Sequence, residues 1–265
     1  MIHVTVWNEN IQDTGIIKDE FLRPGLSNEE IEAYRNQLKA NSQVIQNIYP
    51  GGIHRAIASS FDSADDIIVT TVTMDMPEYG LSDNLLANTD VLIWWAHKAH
   101  NQLPDRIAEK ICNCVLKGMG FIALHSAHLS KPFRFLLGTS CTLKWRMNDF
   151  CRIWNTCPSH PIAKNIPEMF ELPKEEMFGE FFDIPKPDDV VFTSWFRGGE
   201  IFRGGCTWTR GYGKIFYFHP GHETNNSLLN PYVKQIIINS VYWAVSEKRR
   251  EQIMCQHITH PPDSM

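Results

Sequence analysis

The sequence predicts an α/β protein in which a mostly parallel sheet is covered by helices on both faces. Two observations lead to this fold class: short runs rich in β-branched residues alternate with helical patterns, and several of the runs are continuously apolar. The run Val91-Leu92-Ile93-Trp94-Trp95 is of this kind. Such a strand suits a sheet buried on both faces, which is usually a parallel one.

The first half of the chain contains four predicted strands and three predicted helices. The first helix begins at Ser27, where an N-cap and early acidic residues are present, and it runs towards Lys39. A Pro-Gly-Gly break at 50–52 precedes a shorter helix over 53–59, and Pro104 opens a third helix with Gly118 as its C-cap. The predicted strands are Ile2–Trp7, Ile67–Thr73, Val91–Trp95 and Gly120–Leu124.

The second half is predicted to begin with a loop-rich insertion over residues 139–187, because six prolines interrupt it. Antiparallel strands are expected next, with Gly198-Gly199 and Gly204-Gly205 as their hairpin turns. A closing helix with a basic end covers 231–250, and 247–265 is a polar tail. We therefore expect one domain over 1–246. The expected antiparallel strands are Val190–Phe196, Glu200–Phe202, Cys206–Thr209 and Lys214–Phe218.

Composition narrows the setting and the partners. The net charge is −5 with no block of Lys or Arg, which argues against nucleic acid or a membrane surface as a partner. No apolar run approaches the roughly 20 residues that cross a bilayer, and the N-terminus lacks the pattern of a signal peptide. The seven cysteines form no Cys-x-x-Cys pair, which favours free thiols in a reducing compartment. We expect a cytoplasmic protein with a small-molecule substrate; its oligomeric state, including a homo-oligomer, stays open.

Histidines carry the strongest functional signal. Random placement of the 11 histidines would give about half of one His-x-x-His pair, by simple template counting, whereas the chain has four. Three of them follow an apolar run directly: His97/His100, His125/His128 and His219/His222. The fourth, His257/His260, lies in the tail and shows that such a pair need not be functional.

Strand ends of an open α/β sheet converge on one crevice, so the three pairs are predicted to form a single site. Imidazole serves there as a metal ligand or as a proton carrier. The structural alternative is that several of them only cap helices or bind backbone atoms at strand ends. A catalytic zinc takes three protein ligands and a water, so six imidazoles exceed what one ion needs. Some must therefore act as acid, base or substrate contacts.

Neighbouring residues complete the predicted site. Acidic candidates are Glu9, after the first strand, and Glu175, Glu176, Glu180 and Asp183; clustered acids are otherwise most often a solvated face. Aromatic residues near strand ends can stack on a sugar ring, although most only pack the core. No Gly-x-Gly-x-x-Gly or Gly-x-x-x-x-Gly-Lys-Ser/Thr motif is present, so no nucleotide cofactor is expected. Small residues two positions either side of His125, Ala123 and Ala127, permit a tight strand-to-helix turn there.

With those residues in view, the sequence resembles the ThuA-like family of trehalose-utilisation proteins. The resemblance runs from Val6-Trp7-Asn8-Glu9 to Val241-Tyr242-Trp243-Ala244. Its most specific stretches are Trp94-Trp95-Ala96-His97-Lys98-Ala99-His100, Leu124-His125-Ser126, His160-Pro161-Ile162, Glu175-Glu176-Met177-Phe178-Gly179-Glu180 and Pro220-Gly221-His222-Glu223.

The resemblance implies a flavodoxin-like three-layer sandwich of the class I glutamine amidotransferase-like type. In amidotransferases a cysteine occupies the nucleophile elbow, whereas His125 occupies it here. Glutamine hydrolysis needs that thiolate, so amidotransferase activity is excluded. The family's recurrent positions fall on His125, Glu176, Arg210 and His222.

The first functional hypothesis is an enzyme that processes a sugar or a 3-keto-disaccharide by isomerisation, elimination or cleavage, with a divalent metal such as zinc as cofactor. The alternatives are a non-catalytic sugar-binding or regulatory protein and a metal-dependent amide or ester hydrolase. The assignments are His125, Glu176 and His222 as catalytic residues, Trp7, Glu9, Trp95, Trp208 and Arg210 as substrate-binding residues, and His97, His100, His128 and His219 as candidate metal ligands.

Overall fold

A computed structural model describes residues 1–246, 249–251, 257–261 and 263 of the chain. It contains one sheet of nine strands in the order β2-β1-β3-β4-β9-β8-β7-β5-β6. The strands are β1 (Ile2–Asn8), β2 (Ile67–Thr73), β3 (Val91–Trp95), β4 (Gly120–Leu124), β5 (Lys144–Asn155), β6 (Met169–Gly179), β7 (Asp189–Phe196), β8 (Ile201–Arg210) and β9 (Gly213–Phe218).

Seven α-helices connect or flank these strands. They are α1 (Ile11–Thr14), α2 (Asn28–Ile48), α3 (Ile53–Ala58), α4 (Asp83–Ala87), α5 (Asp105–Leu116), α6 (Lys131–Leu137) and α7 (Pro231–Ala244). Helix α2 begins with the predicted capping box, since Ser27 and Glu30 each accept a hydrogen bond from the other's backbone N–H. It extends beyond the predicted end near Lys39, as far as Ile48. Leu38 and Ile45 are seven residues apart and therefore on the same face of the helix, and both are buried.

The first half of the sheet is parallel, and all four strands predicted for it are confirmed. Strands β2, β1, β3, β4 and β9 pair in parallel. Every residue of β3 and of β4 is buried, as their continuous apolar sequences predict. If these five parallel strands are numbered 1 to 5 along the chain, their order in the sheet is 2-1-3-4-5. The strand order therefore reverses between β1 and β3, and the carboxyl ends of the strands open onto a crevice there.

The second half of the sheet is antiparallel, which corrects the prediction of a mostly parallel sheet. Strands β9, β8, β7, β5 and β6 pair in antiparallel fashion. Four strand pairs are therefore parallel and four antiparallel. The prediction missed this balance because residues 139–187, expected to form loops and short elements, supply the two long strands β5 and β6.

The prolines of that segment explain the error. Five of the six lie outside the strands, and Pro173 lies within β6, which is the edge strand of the sheet. An edge strand tolerates a residue without an N–H, and the β5–β6 register is irregular on either side of Asp149, where Pro173 falls. Strands β7 and β8 are antiparallel to both of their neighbours, as predicted, whereas β9 is antiparallel to β8 and parallel to β4.

The two Gly-Gly pairs have different roles. Gly198-Gly199 forms the predicted turn, whereas Gly204-Gly205 lies inside β8 and joins the two short strands predicted there. A Cβ at Gly204 would lie 2.3 Å from Ser194 Oγ, and one at Gly205 would lie 2.7 Å from Phe192 Cδ2. These glycines therefore permit close approach to β7 and do not mark a turn.

The C-terminal helix is shorter than predicted. Helix α7 ends at Ala244, and Val245 leaves the helical region with ψ 136°, so Arg249 and Arg250 do not form its basic end. Most of the predicted polar tail, 247–265, lies outside the described residues; the described positions 257–261 are exposed. No helix in the described part of the chain is long and apolar enough to cross a membrane.

Candidate functional site

Three histidines and one glutamate meet at the carboxyl ends of the parallel strands. His97 follows β3, His125 follows β4, His222 follows β9, and Glu176 comes from β6. One nitrogen or oxygen of each lies within 4.8 Å of those of the others. Each of the three predicted His-x-x-His pairs thus contributes one member to a common cluster, together with a carboxylate from the opposite half of the sheet.

The backbone at His125 forms the predicted elbow. Its φ is +54°, in the left-handed region, and a short 3-10 helix, His125–Leu129, begins directly after β4. A non-glycine residue in this conformation costs free energy, and such strain is concentrated at functional sites. The flanking Ala123 and Ala127 are fully buried, so the turn has room for nothing larger. The elbow holds the imidazole at the base of the crevice.

Hydrogen bonds define the form in which His125 faces the cluster. Its Nδ1 donates to the carbonyl of His219 over 3.0 Å, which turns Nε2 towards Glu176 Oε2 at 3.1 Å. The two buried atoms face each other without hydrogen-bond geometry, and neither has another partner among the described residues. Burial lowers the pKa of His125, but the carboxylates of Glu176, Glu175 and Glu223 outweigh it and raise that pKa above its ordinary value.

His97 is held by a buried carboxylate. Its Nδ1 donates to Glu223 Oε2 over 2.7 Å, so its Nε2 is left with a lone pair. Burial raises the pKa of Glu223, but His97 lowers it by more, and the pKa lies well below its usual range. Glu223 therefore stays ionised and orients the imidazole, as carboxylates commonly orient metal-bound histidines.

His222 carries its proton on the opposite nitrogen. Its Nδ1 accepts a hydrogen bond from the Thr224 backbone N–H over 3.2 Å, so the proton of the neutral ring resides on Nε2. Burial is the main cause that lowers the pKa of His222, which keeps the ring neutral near pH 7. The cluster thus contains two histidines with a free lone pair and one that offers an N–H.

Glu175, the neighbour of Glu176, holds the loop that carries His222. Its carboxylate is fully buried and accepts hydrogen bonds from the backbone N–H groups of Gly221 (3.1 Å) and His222 (3.3 Å) and from the Ser227 hydroxyl (2.5 Å). Burial raises the pKa of Glu175, but the nearby histidines and Ser227 outweigh it, and the pKa is lowered. Strand β6 therefore folds back onto the end of β9 and fixes the cluster from both sides.

Glu9 supports the site and does not reach it. Its carboxylate is 2% exposed and accepts hydrogen bonds from the backbone N–H groups of Lys98 (2.7 Å) and Ala99 (2.9 Å). Burial raises the pKa of Glu9 above its ordinary value. Both oxygens are occupied in shaping the loop after β3, and the substrate-binding role predicted for Glu9 stays a prediction.

The other predicted metal ligands lie outside the cluster. His219 uses both ring nitrogens within the protein, towards the Glu176 carbonyl (2.8 Å) and Ser194 Oγ (3.3 Å). His128 directs Nδ1 at the Cys141 carbonyl (2.6 Å), and burial lowers its pKa to about 3, although its ring lines the cavity described below. Both nitrogens of His100 are buried without a partner among the described residues. The structure leaves these three histidines outside the cluster, and their role as metal ligands stays a prediction; spacing could not show which ring of a pair belongs to the cluster.

The predicted sugar-contacting residues are also placed elsewhere. Trp7, Trp95 and Trp208 are at most 2% exposed: Trp7 stacks on Trp94, Trp95 donates to the Gly221 carbonyl (3.0 Å), and Trp208 donates to the Pro185 carbonyl (3.2 Å). Arg210 lies at the turn before β9, at the opposite end of that strand from His219, and donates to the Leu136 carbonyl. The structure encloses the three indoles in the core and places Arg210 away from the cluster, so it does not bring these four residues together at the site, and their substrate-binding role stays a prediction.

A cavity of about 660 Å³ opens above the cluster. Its lining includes His97, His222 and Glu176 at the base, and its size is that of a small-molecule site. Trp145, which was not assigned to the site from sequence, is 64% exposed on one wall, and the amides of Gln37 and Asn41 from α2 stand among the polar lining residues. The signal for Trp145 was its large apolar side chain at an exposed strand position.

Comparison with known proteins places this arrangement in a family. The family model described as "Trehalose utilisation", ThuA, matches residues 27–244. The chain belongs to the ThuA family. The match includes all four cluster residues, so the cluster lies within the part of the chain that defines membership. No match is found among curated proteins.

Solved structures agree with ThuA membership at the level of the fold. A ThuA-like protein from Parabacteroides merdae has 13% identity and a TM-score of 0.59, over 95% of this chain and 92% of that one. A ThuA-like protein from Bacteroides uniformis has 13% identity and a TM-score of 0.53, over 93% and 92%. A cytoplasmic protein from Salmonella typhimurium has 13% identity and a TM-score of 0.52, over 74% and 87%. At these identities the likeness concerns the mixed α/β architecture alone.

Proposed function

We propose that this ThuA-family chain is an enzyme that processes an oxidised sugar, such as a 3-keto-glycoside, at a divalent metal site formed by His97, His125 and Glu176. The observation that carries the proposal is the pair of buried atoms His125 Nε2 and Glu176 Oε2, which lie 3.1 Å apart without hydrogen-bond geometry and have no other partner among the described residues. Leaving two such atoms unpaired is costly unless a further group binds them.

The donor set fits a divalent ion such as zinc. Two imidazole nitrogens and one carboxylate oxygen are a known catalytic zinc set, with a position left open for water or substrate. His97 and His125 each donate Nδ1–H to an oxygen, as the outer contacts of metal-bound histidines do. Ligands of one ion lie about 3.4 Å apart at tetrahedral bond lengths of about 2.1 Å, and the cluster atoms fall within 4.8 Å, so a small contraction completes the site.

The bound ion would supply polarisation of a carbonyl oxygen. The chain itself supplies the proton carriers. His222 presents Nε2–H in a neutral ring and can donate a proton to a substrate oxygen. Burial raises the pKa of Glu176, but His125 and the other nearby histidines outweigh it and lower that pKa, so the carboxylate is ionised, as a metal ligand must be. A keto group acidifies the neighbouring C–H, and its isomerisation or elimination requires a proton acceptor together with a proton donor, the role that His222 can fill.

The cavity walls support a sugar as substrate. The exposed face of Trp145 suits the apolar face of a pyranose ring, and Gln37 and Asn41 can bind hydroxyl groups. The family description, "Trehalose utilisation", agrees with this class. We include in the proposal the flavodoxin-like, amidotransferase-like three-layer scaffold, which the 2-1-3-4-5 order of the parallel strands supports. A cytoplasmic location is likewise proposed, in line with the similarity to the cytoplasmic protein from Salmonella typhimurium.

The test combines metal analysis with product analysis. Purified protein is expected to contain about one zinc-like ion per chain by mass spectrometry and to convert 3-keto-glucosides, with activity lost on chelation. His125→Ala is expected to lose both properties, whereas His260→Ala, in the exposed fourth pair, retains them. Full activity after chelation would contradict the metal site. Binding of sugars without turnover would favour the regulatory alternative, and turnover of simple esters alone would favour the hydrolase.

A further inference from the structure

A second cavity lies beside the one above the cluster. Its volume is about 510 Å³, which again falls in the range of small-molecule sites. Lys98 lines both cavities, and it directly follows His97, which belongs to the cluster. The loop after β3 therefore lines both cavities, with His97 and Lys98 in the first and Lys98 in the second.

One face of helix α2 runs past both cavities. Tyr34 lines the second cavity, whereas Gln37 and Asn41 line the first. Residues three, four or seven positions apart lie on the same side of a helix, so these three side chains form one continuous row. The row gives the two cavities a common wall that leads from the cluster to the second cavity.

The loop between the cavities is fixed in place. Glu9 accepts hydrogen bonds from the backbone N–H groups of Lys98 and Ala99. No described acidic side chain lies within ion-pairing distance of Lys98, so its ammonium group is available to a ligand at the junction. A ligand that spans the junction meets a preformed polar contact there.

The walls of the second cavity combine apolar and hydrogen-bonding groups. Phe21, Leu26 and Tyr34 are half-buried and present apolar surface, and Asn101 and Gln102 bring amides. The Gln102 amide N–H donates to the Phe21 carbonyl over 3.1 Å, which leaves its oxygen as an acceptor. A sugar ring, with one apolar face and a rim of hydroxyl groups, matches this combination.

We propose that the second cavity binds the second ring of a two-ring glycoside whose first ring reacts at the cluster. This inference rests on the proposed function and adds to it a second ring site, so that a two-ring glycoside is bound across both cavities with Lys98 at the linkage. Tyr34 supplies the surface against which the second ring packs.

The test compares the catalytic efficiency, kcat/KM, for a 3-keto-disaccharide, methyl 3-keto-glucoside and phenyl 3-keto-glucoside. The wild-type protein is expected to prefer the disaccharide over the methyl glucoside at least tenfold. Loss of one stacked aromatic ring is worth about threefold to tenfold, so Tyr34→Ala is expected to reduce that preference by this factor. Leu26→Trp, which fills the second cavity, is expected to reduce it further.

Tyr212→Ala serves as the matched control, since this 48% exposed tyrosine lies at the turn between β8 and β9, away from both cavities. Saturation-transfer NMR with the same three compounds measures binding independently of turnover.

Equal efficiency with the disaccharide and the methyl glucoside would overturn the second ring site and leave the proposed function standing. A preference for the phenyl glucoside alone would also overturn it. Disaccharide binding that Tyr34→Ala weakens, without any turnover, would support the ring site while the proposed enzyme function fails. Absence of both binding and turnover would overturn both.

Discussion

Replacing Glu175 by glutamine tests whether the loop that carries His222 is held by a buried charge. The carboxylate accepts hydrogen bonds from Gly221, His222 and Ser227, and its Oε1 also accepts from the Glu176 N–H over 2.9 Å. The amide –NH2 of glutamine must face at least one of these backbone N–H groups and leave it without an acceptor. A buried unsatisfied donor costs about 1–3 kcal/mol, and the remaining bonds lose their charge assistance.

Removal of the charge also removes its desolvation cost, which offsets part of the loss. We therefore expect Glu175→Gln to lower the free energy of unfolding by about 2–3 kcal/mol. For a chain of this size 1 kcal/mol corresponds to about 2–4 °C in Tm, so the expected fall is about 4–12 °C in a thermal melt. The matched control is Glu171→Gln on the same strand. Glu171 is 44% exposed and pairs with Arg152 at the surface, so its loss costs less than about 1 kcal/mol.

The pH dependence gives this prediction a second readout. The pKa of Glu175 is lowered in the folded protein, so the stability it contributes is present above the ordinary pKa of 4.5 and is lost as pH falls through the folded value. The difference between wild type and Glu175→Gln is thus expected at pH 7 and narrows in acid below about pH 4.5. A fall in Tm no larger than that of the control at pH 7, or a difference that grows in acid, would refute the reasoning.

Three further predictions concern the metal, the cavity wall and the packing of the sheet. Because the pKa of His125 is raised above its ordinary value of 6.5, a proton competes with a metal ion for Nε2 below that pH. Zinc affinity, measured by competition with a chelator, is therefore expected to rise by about tenfold per pH unit as the pH increases towards 6.5, and a flat profile there would contradict the assignment. Trp145→Ala is expected to raise KM for a keto-sugar about threefold to tenfold with little change in kcat, while Trp154→Ala, 39% exposed on the same strand and outside the cavity lining, leaves KM unchanged; equal effects would argue against stacking. Gly213→Ala is expected to cost at least about 2 kcal/mol in a urea titration, because its Cβ would lie 2.1 Å from the Val115 carbonyl oxygen, and stability close to wild type would show that helix α5 can shift.

The central strands of the parallel half, β3 and β4, were predictable because they are buried on both faces. Continuous apolar runs such as Val91–Trp95 are stable only in a sheet that is covered on both sides, and the predicted bounds were correct to within a residue. The antiparallel half was harder to predict. Its outer strands β5 and β6 are partly exposed, and Pro173 indicates a strand break when only its sequence neighbours are considered, although an edge strand accommodates it. Only the pairing of β6 with β5, which is a long-range property, makes that proline acceptable.

The site was predictable in its position and less so in its members. Strand ends predicted that the three histidine pairs converge, because carboxyl ends of parallel strands share one edge. The choice of His97, His125 and His222 depends on the backbone directions of three loops, which spacing does not contain. Glu175 and Glu176 are adjacent and both buried, which an alternating half-exposed strand would not give. The last five residues of β6 are all buried, so both faces of this end of the strand are covered and both carboxylates are enclosed.

The origin of Glu176 on the edge strand has a consequence for ion exchange. Edge strands open more readily than central ones, so fraying of β6 withdraws one carboxylate while His97 and His125 stay on the rigid parallel half. An ion can then leave or enter through a two-coordinate state without global unfolding. We expect hydrogen exchange of the β6 amides to slow when zinc is added, and the dissociation rate of the ion to follow the opening rate of this strand.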